Sequence, residues 1–103
     1  MVVSLSILEK YLDSKTKRAI LRTMIFESHR DFSIAELSRK LDIDKSLISK
    51  VMAELEKDNL IKTGFRGPMK LCEINKDSKT FIALSNIFKI DNELKKAIGD
   101  GHA

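Results

Sequence analysis

The stretch from Asp31 to Leu60 constrains this chain most. Ser33 stands just before an apolar-periodic run, and Glu36 lies three residues later. That spacing predicts a capping box: the serine oxygen accepts from a free backbone N–H at a helix start, while the glutamate reaches back. Ile34, Leu37 and Leu41 recur at helical spacing. Asp42-Ile43-Asp44 breaks the pattern, and Asp44 is a good N-cap for a second helix. Ile48, Val51, Met52 and Leu55 then fall at i, i+3, i+4 and i+7, one apolar stripe. Two amphipathic helices joined by a short turn are expected.

The other side of the second helix is the more informative. Ser46, Ser49, Lys50 and Ala53 lie about 200° around the axis from the stripe. This face is small, polar and basic, with no carboxylate on the helix before Glu54. Such a surface can approach a polyanion without repulsion. Paired helices offering that face make a helix-turn-helix arrangement. Serines and a lysine also make an ordinary solvated face, so the pairing alone does not decide the matter.

The sequence after Leu60 adds weight. Leu60 to Thr63 reads as a short strand. Gly64-Phe65-Arg66-Gly67-Pro68 carries two glycines and the only proline, a turn signal. Met69 to Ile74 reads as a second strand. Together they predict a β-hairpin whose loop displays Phe65 and Arg66 and whose arms carry Lys62 and Lys70.

Residues Phe32 to Ile74 therefore resemble the winged helix-turn-helix of prokaryotic transcriptional regulators. Phe32-Ser33-Ile34-Ala35-Glu36-Leu37-Ser38-Arg39-Lys40-Leu41 matches the first motif helix. Ile43 to Lys50 matches the turn and recognition helix, and Leu55 to Ile61 matches the usual passage into the wing. Glycine is common in this family where Asp42 and Asn59 stand, and both replacements tolerate positive φ. Leu47 occupies a site often filled by a small polar residue. It either touches a thymine methyl or packs on the flank of the core, and packing is the preferred reading.

The flanks complete the expected architecture, a mainly α chain with a small β-hairpin. Ser4 to Leu12 is expected to form a first helix through Leu5, Leu8, Tyr11 and Leu12. After Asp13-Ser14, Lys15 to Ser28 is expected to form a longer one with two partly apolar faces. Phe32 is placed to pack back on the next helix start as a staple. Beyond Asn75-Lys76-Asp77-Ser78, a last helix carries Phe81, Leu84, Ile87, Phe88 and Leu94 as a stripe extending to Ile98. That stripe either closes the core or pairs with its twin in a homodimer. The dimer is preferred because so small a core should not need so many large apolar residues. One domain spans residues 1–103, with a 14–75 core, a 60–74 wing, and helices in 1–13 and 76–98 serving dimerisation.

Composition sets the remaining bounds. The chain has 103 residues and a formal net charge of +4, which suits an acidic partner. One cysteine, Cys72, excludes an internal disulfide and fits a reducing compartment. No apolar run approaches a membrane span and no signal-peptide pattern opens the chain, so cytoplasmic residence is the default expectation. His29 and His102 sit in no catalytic or metal-ligating pattern, so no enzyme activity, metal or cofactor is expected.

The expected partner is double-stranded DNA. Lys45, Ser46, Ser49 and Lys50 would meet base edges or phosphates in the major groove, with Leu47 beside them. Lys50 is the candidate for guanine. Backbone amides at Ser33 and at the recognition-helix start would favour phosphates. Arg66 would lie along the minor groove, with Lys62 and Lys70 bracing the backbone. A protein–protein adaptor is the competing reading, and a small-molecule effector is left open.

Overall fold

The computed structural model describes residues 10–12 and 14–100. The expected first helix falls mostly outside them, leaving only Lys10, Tyr11 and Leu12 to assess. Beyond these lie four helices and three strands: α1 (Lys15–Phe26), β1 (Phe32–Ser33), α2 (Ile34–Leu41), α3 (Lys45–Lys57), β2 (Ile61–Arg66), β3 (Met69–Ile74) and α4 (Lys79–Asp100).

Each of these helices begins on a side-chain oxygen. Ser14 accepts from Lys17 N–H at 3.3 Å, Ser33 from Glu36 N–H at 3.1 Å, Asp44 from Ser46 N–H at 3.2 Å, and Ser78 from Phe81 N–H at 3.2 Å. The capping box at Ser33 forms only its serine half. Glu36 turns instead to the guanidinium of Arg30, which lies 4.1 Å from the Phe32 ring centroid. A full guanidinium charge nearby outcompetes a neutral backbone N–H for the carboxylate.

Two residues take the left-handed conformation expected of them. Asp42 (φ 55°) ends α2, and Ser38 locks the turn by donating to Ile43 O at 2.6 Å while its own carbonyl accepts from Ile43 N–H. Asn59 (φ 61°) ends α3, where Leu60 N–H reaches Leu55 O at 2.9 Å and Asn59 N–H reaches Glu56 O at 3.0 Å. This is a Schellman closure made with asparagine in place of glycine.

The strands form an antiparallel sheet in the order β1-β3-β2. Phe32 pairs with Cys72 and Ser33 with Leu71, so the expected staple residue is a strand residue, fully buried. Period counting has little purchase on a strand only two residues long. The hairpin also differs from expectation. Gly64, Phe65 and Arg66 continue β2 opposite Leu71, Lys70 and Met69, and only Gly67-Pro68 turns the chain. Gly67 has φ +61°, the conformation two-residue hairpin turns require.

The core lies between the sheet and the helices. Ile20, Leu21 and Met24 of α1, Leu37 of α2, and Ile48, Met52 and Leu55 of α3 are almost completely excluded from solvent, with Leu60 and Cys72. Leu84 and Phe88 of α4 join them, and Phe81 packs partly buried against the cluster. The proximal part of the last stripe thus closes the core of the single chain. Leu84 and Phe88 are buried within the single chain, where α4 lies against α1. Ile87 is half-buried, whereas Leu94 is 58% exposed. The Ile98 side chain falls outside the described residues.

Candidate nucleic-acid interface

Because the stripe of α3 is buried, its opposite face is turned outward. Lys45, Ser46, Ser49, Lys50 and Ala53 are all exposed. Leu47 is 40% exposed and lies outside the core cluster, so it does not pack on the core flank as expected. One residue before Ile48, it sits about 100° off the buried stripe.

Carboxylates shape this surface more than the helix sequence suggests. Asp44, exposed at the start of α3, accepts from both the N–H and the hydroxyl of Ser46. The cap occupies the amide that was to favour a phosphate, and it adds a negative charge there. At Ser33 likewise, the serine oxygen takes up the helix-start N–H of Glu36. Glu54 is paired to Lys17 of α1 at 2.8 Å, and Glu56 accepts from the Thr63 hydroxyl of β2. This last bond ties α3 to the wing.

Strand alternation gives the hairpin two distinct faces. Ile61 is buried and Thr63 reaches Glu56 of α3, so Ile61, Thr63 and Phe65 share the face toward α3, with Lys70 opposite Phe65. Lys62 and Arg66 point the other way. There Lys62 stands across from Glu73, and Arg66 Nη2 lies 3.6 Å from Asp31 Oδ2. These four charged residues, with Leu71 and the Thr63-Gly64-Phe65 stretch of β2, border a hollow of about 280 Å³. The expected wing cations are therefore present but divided: Lys70 is half-buried on one face, and Lys62 and Arg66 are exposed on the other. Asp31, Asp44 and Phe65 belong to this surface and were not among the expected site residues. A loop acid has no periodicity to announce it, and Phe65 reads equally well as a turn residue.

A second concavity runs between α1 and α4. It holds about 680 Å³ and is floored by Leu12, Ala19, Ile87 and Phe88. Asp91 lies at its rim, paired to Arg22 at 3.4 Å and Lys95 at 3.3 Å. Beyond it α4 exposes Ile90 (57%) and Leu94 (58%).

A cap-helix-turn-helix running into a strand pair, with a short strand completing the sheet, is the winged helix-turn-helix fold. Among solved structures the chain is similar to the AntR antimony-specific transcriptional repressor (TM-score 0.72, 12% identity, covering 90% of this chain and 80% of that one). It is similar also to reduced HlyU from Vibrio cholerae N16961 (0.65, 22%, 81% and 82%) and to the transcriptional repressor BigR from Xylella fastidiosa (0.66, 16%, 84% and 84%). At these identities the likeness is one of fold. No protein-family model and no curated protein matches the sequence.

Proposed function

We propose that this protein binds double-stranded DNA sequence-specifically and acts as a dimeric transcriptional regulator. The observation that carries the reading is the outward Lys45/Ser46/Ser49/Lys50 face of α3 beside a hairpin bearing Lys62, Arg66 and Lys70. In this reading α3 enters the major groove, where Ser46, Ser49 and Lys50 meet base edges and Lys45 meets phosphate. The wing tracks the minor groove or the backbone. AntR and BigR, by their names, are transcriptional repressors, which supports the assignment. Antimony, named for AntR, finds no counterpart thiolate set, since the one cysteine is buried in the central strand.

A single protomer makes few contacts, so the reading includes a two-fold dimer that sets two α3 helices about one DNA turn apart. Exposed Ile90 and Leu94, beyond the core-closing part of α4, are the candidate contact residues, with Ile87 at their edge. No helix among the described residues is long and apolar enough to cross a membrane.

The test is selection of duplex sites from random DNA, then titration of selected and scrambled duplexes across a salt series. Selected DNA is expected to bind more tightly, and both affinities to fall steeply with salt. Equal, salt-independent or absent binding would favour a protein–protein adaptor.

A further inference from the structure

One side chain on the wing makes none of the contacts that tie the hairpin to the rest of the fold. Phe65 is 73% exposed, the highest value of any large apolar residue among those described. An aromatic ring left in water forgoes the burial that ordinarily holds such residues inside. Its position in β2 puts it on the face shared with Thr63, the face tied to α3. Lys70 stands directly opposite it, Arg66 is its chain neighbour, and the chain reverses immediately afterwards at Gly67-Pro68. Met69, the nearest exposed apolar residue on the hairpin, pairs with Arg66 on the other face. Phe65 is therefore a lone exposed ring at a narrow tip, with one cation, Lys70, opposite it on its own face and Arg66 turned to the reverse face. That differs from the broad apolar patch a protein partner uses, and it matches a ligand that is anionic outside and apolar within.

We propose that Phe65 is a specificity-determining residue that enters the DNA minor groove as an apolar wedge, with Lys70 on the adjacent phosphate. The proposal rests on the DNA-binding reading. Apolar side chains at such positions partly unstack a base step, which pyrimidine–purine steps permit most readily. The wing therefore favours TA or CA/TG steps in the flank that it covers.

The test compares the full-length protein with Phe65→Ala and Lys70→Ala on a selected duplex. Phe65→Ala is expected to weaken binding by about tenfold, to lose the step preference, and to leave the salt slope unchanged, since an apolar contact releases no counterions. Lys70→Ala is expected to reduce the slope by about one. A 2-aminopurine at the covered step should brighten with the native protein and stay dim with Phe65→Ala. An unchanged melting temperature shows that the exposed ring is not needed for folding. Native affinity and step preference in Phe65→Ala overturn the wedge while leaving DNA binding intact. Failure of the native protein to bind any duplex overturns the underlying reading. A change in oligomeric state on Phe65→Ala would reassign the ring to contact between copies.

Discussion

Arg66 and Asp31, distant in sequence, meet at 3.6 Å on the outer face of the wing. Asp31 lies in the loop just before β1, and β1 pairs with β3, so the sheet itself brings the acid to the arginine. The arginine that would serve DNA binding thus already has a counter-charge. The pair is exposed and worth at most about 1 kcal/mol. Asp31→Asn is expected to tighten DNA binding by up to about fivefold. In an Arg66→Ala background the same substitution should gain nothing. A double-mutant cycle measures this, and an undiminished gain there would make Asp31 merely one more negative charge near a polyanion.

Lys50 and Arg66 should fail differently. Lys50→Ala is expected to cost ~1–3 kcal/mol and to blur preference at particular base pairs, if its contact is bidentate. Arg66→Ala should weaken all duplexes alike. Titrations on selected and scrambled DNA separate the two patterns.

The two halves of α4 should also separate. Leu84→Ala empties a fully buried site and is expected to cost ~2–5 kcal/mol in chemical denaturation. Leu94→Glu, at an exposed position, should leave the protomer folded and shift sedimentation from dimer to monomer at micromolar concentration. A native sedimentation profile for Leu94→Glu would move the dimer contact off this helix.

Stability should pass through a plateau bounded by two partners in one contact. Tyr11 donates to Asp58 at 2.9 Å, and Lys10 Nζ lies 3.0 Å from the same carboxylate. Burial pushes the Asp58 carboxyl up, but the bonds from Lys10 and Tyr11 outweigh it and hold the group below its ordinary value of 3.8. Its contribution is present above that value and is lost as the pH falls further. Burial, then the bond to Asp58, raises the Tyr11 hydroxyl above its ordinary 10.0, so that contribution is full below pH 10.0 and declines above it. Burial likewise raises the Cys72 thiol above its ordinary 9.0, adding an earlier alkaline loss. Tyr11→Phe is expected to cost about 1 kcal/mol, lowering Tm by about 4–8 °C at neutral pH. Melts from about pH 3 to about pH 11, spanning both groups' ordinary values, would trace both limbs.

What the chain discloses locally, it discloses well. The stripe Ile48/Val51/Met52/Leu55 defined both the buried and the outward faces of α3, and Asp42 and Asn59 could be read as helix ends because their side chains tolerate the needed backbone. What depended on distant partners stayed hidden. Glu36 was claimed by Arg30, and Arg66 by Asp31, neither visible from spacing. Leu84 and Phe88 carry the same periodicity whether they face a twin or their own core, and only the packing of α4 against α1 decides. At Gly64-Phe65-Arg66, glycine and extended residues fit a loop and a strand alike, and cross-strand pairing with β3 selected the strand.

Ser33 closes the sheet against Leu71 and, with its side chain, opens α2. From the other side, Thr63 and Glu56 fasten β2 to α3. The wing is thus moored at both of its margins to the helix pair α2 and α3. The base of the hairpin therefore moves with α2 and α3, while the tip beyond Thr63 projects past both fastenings.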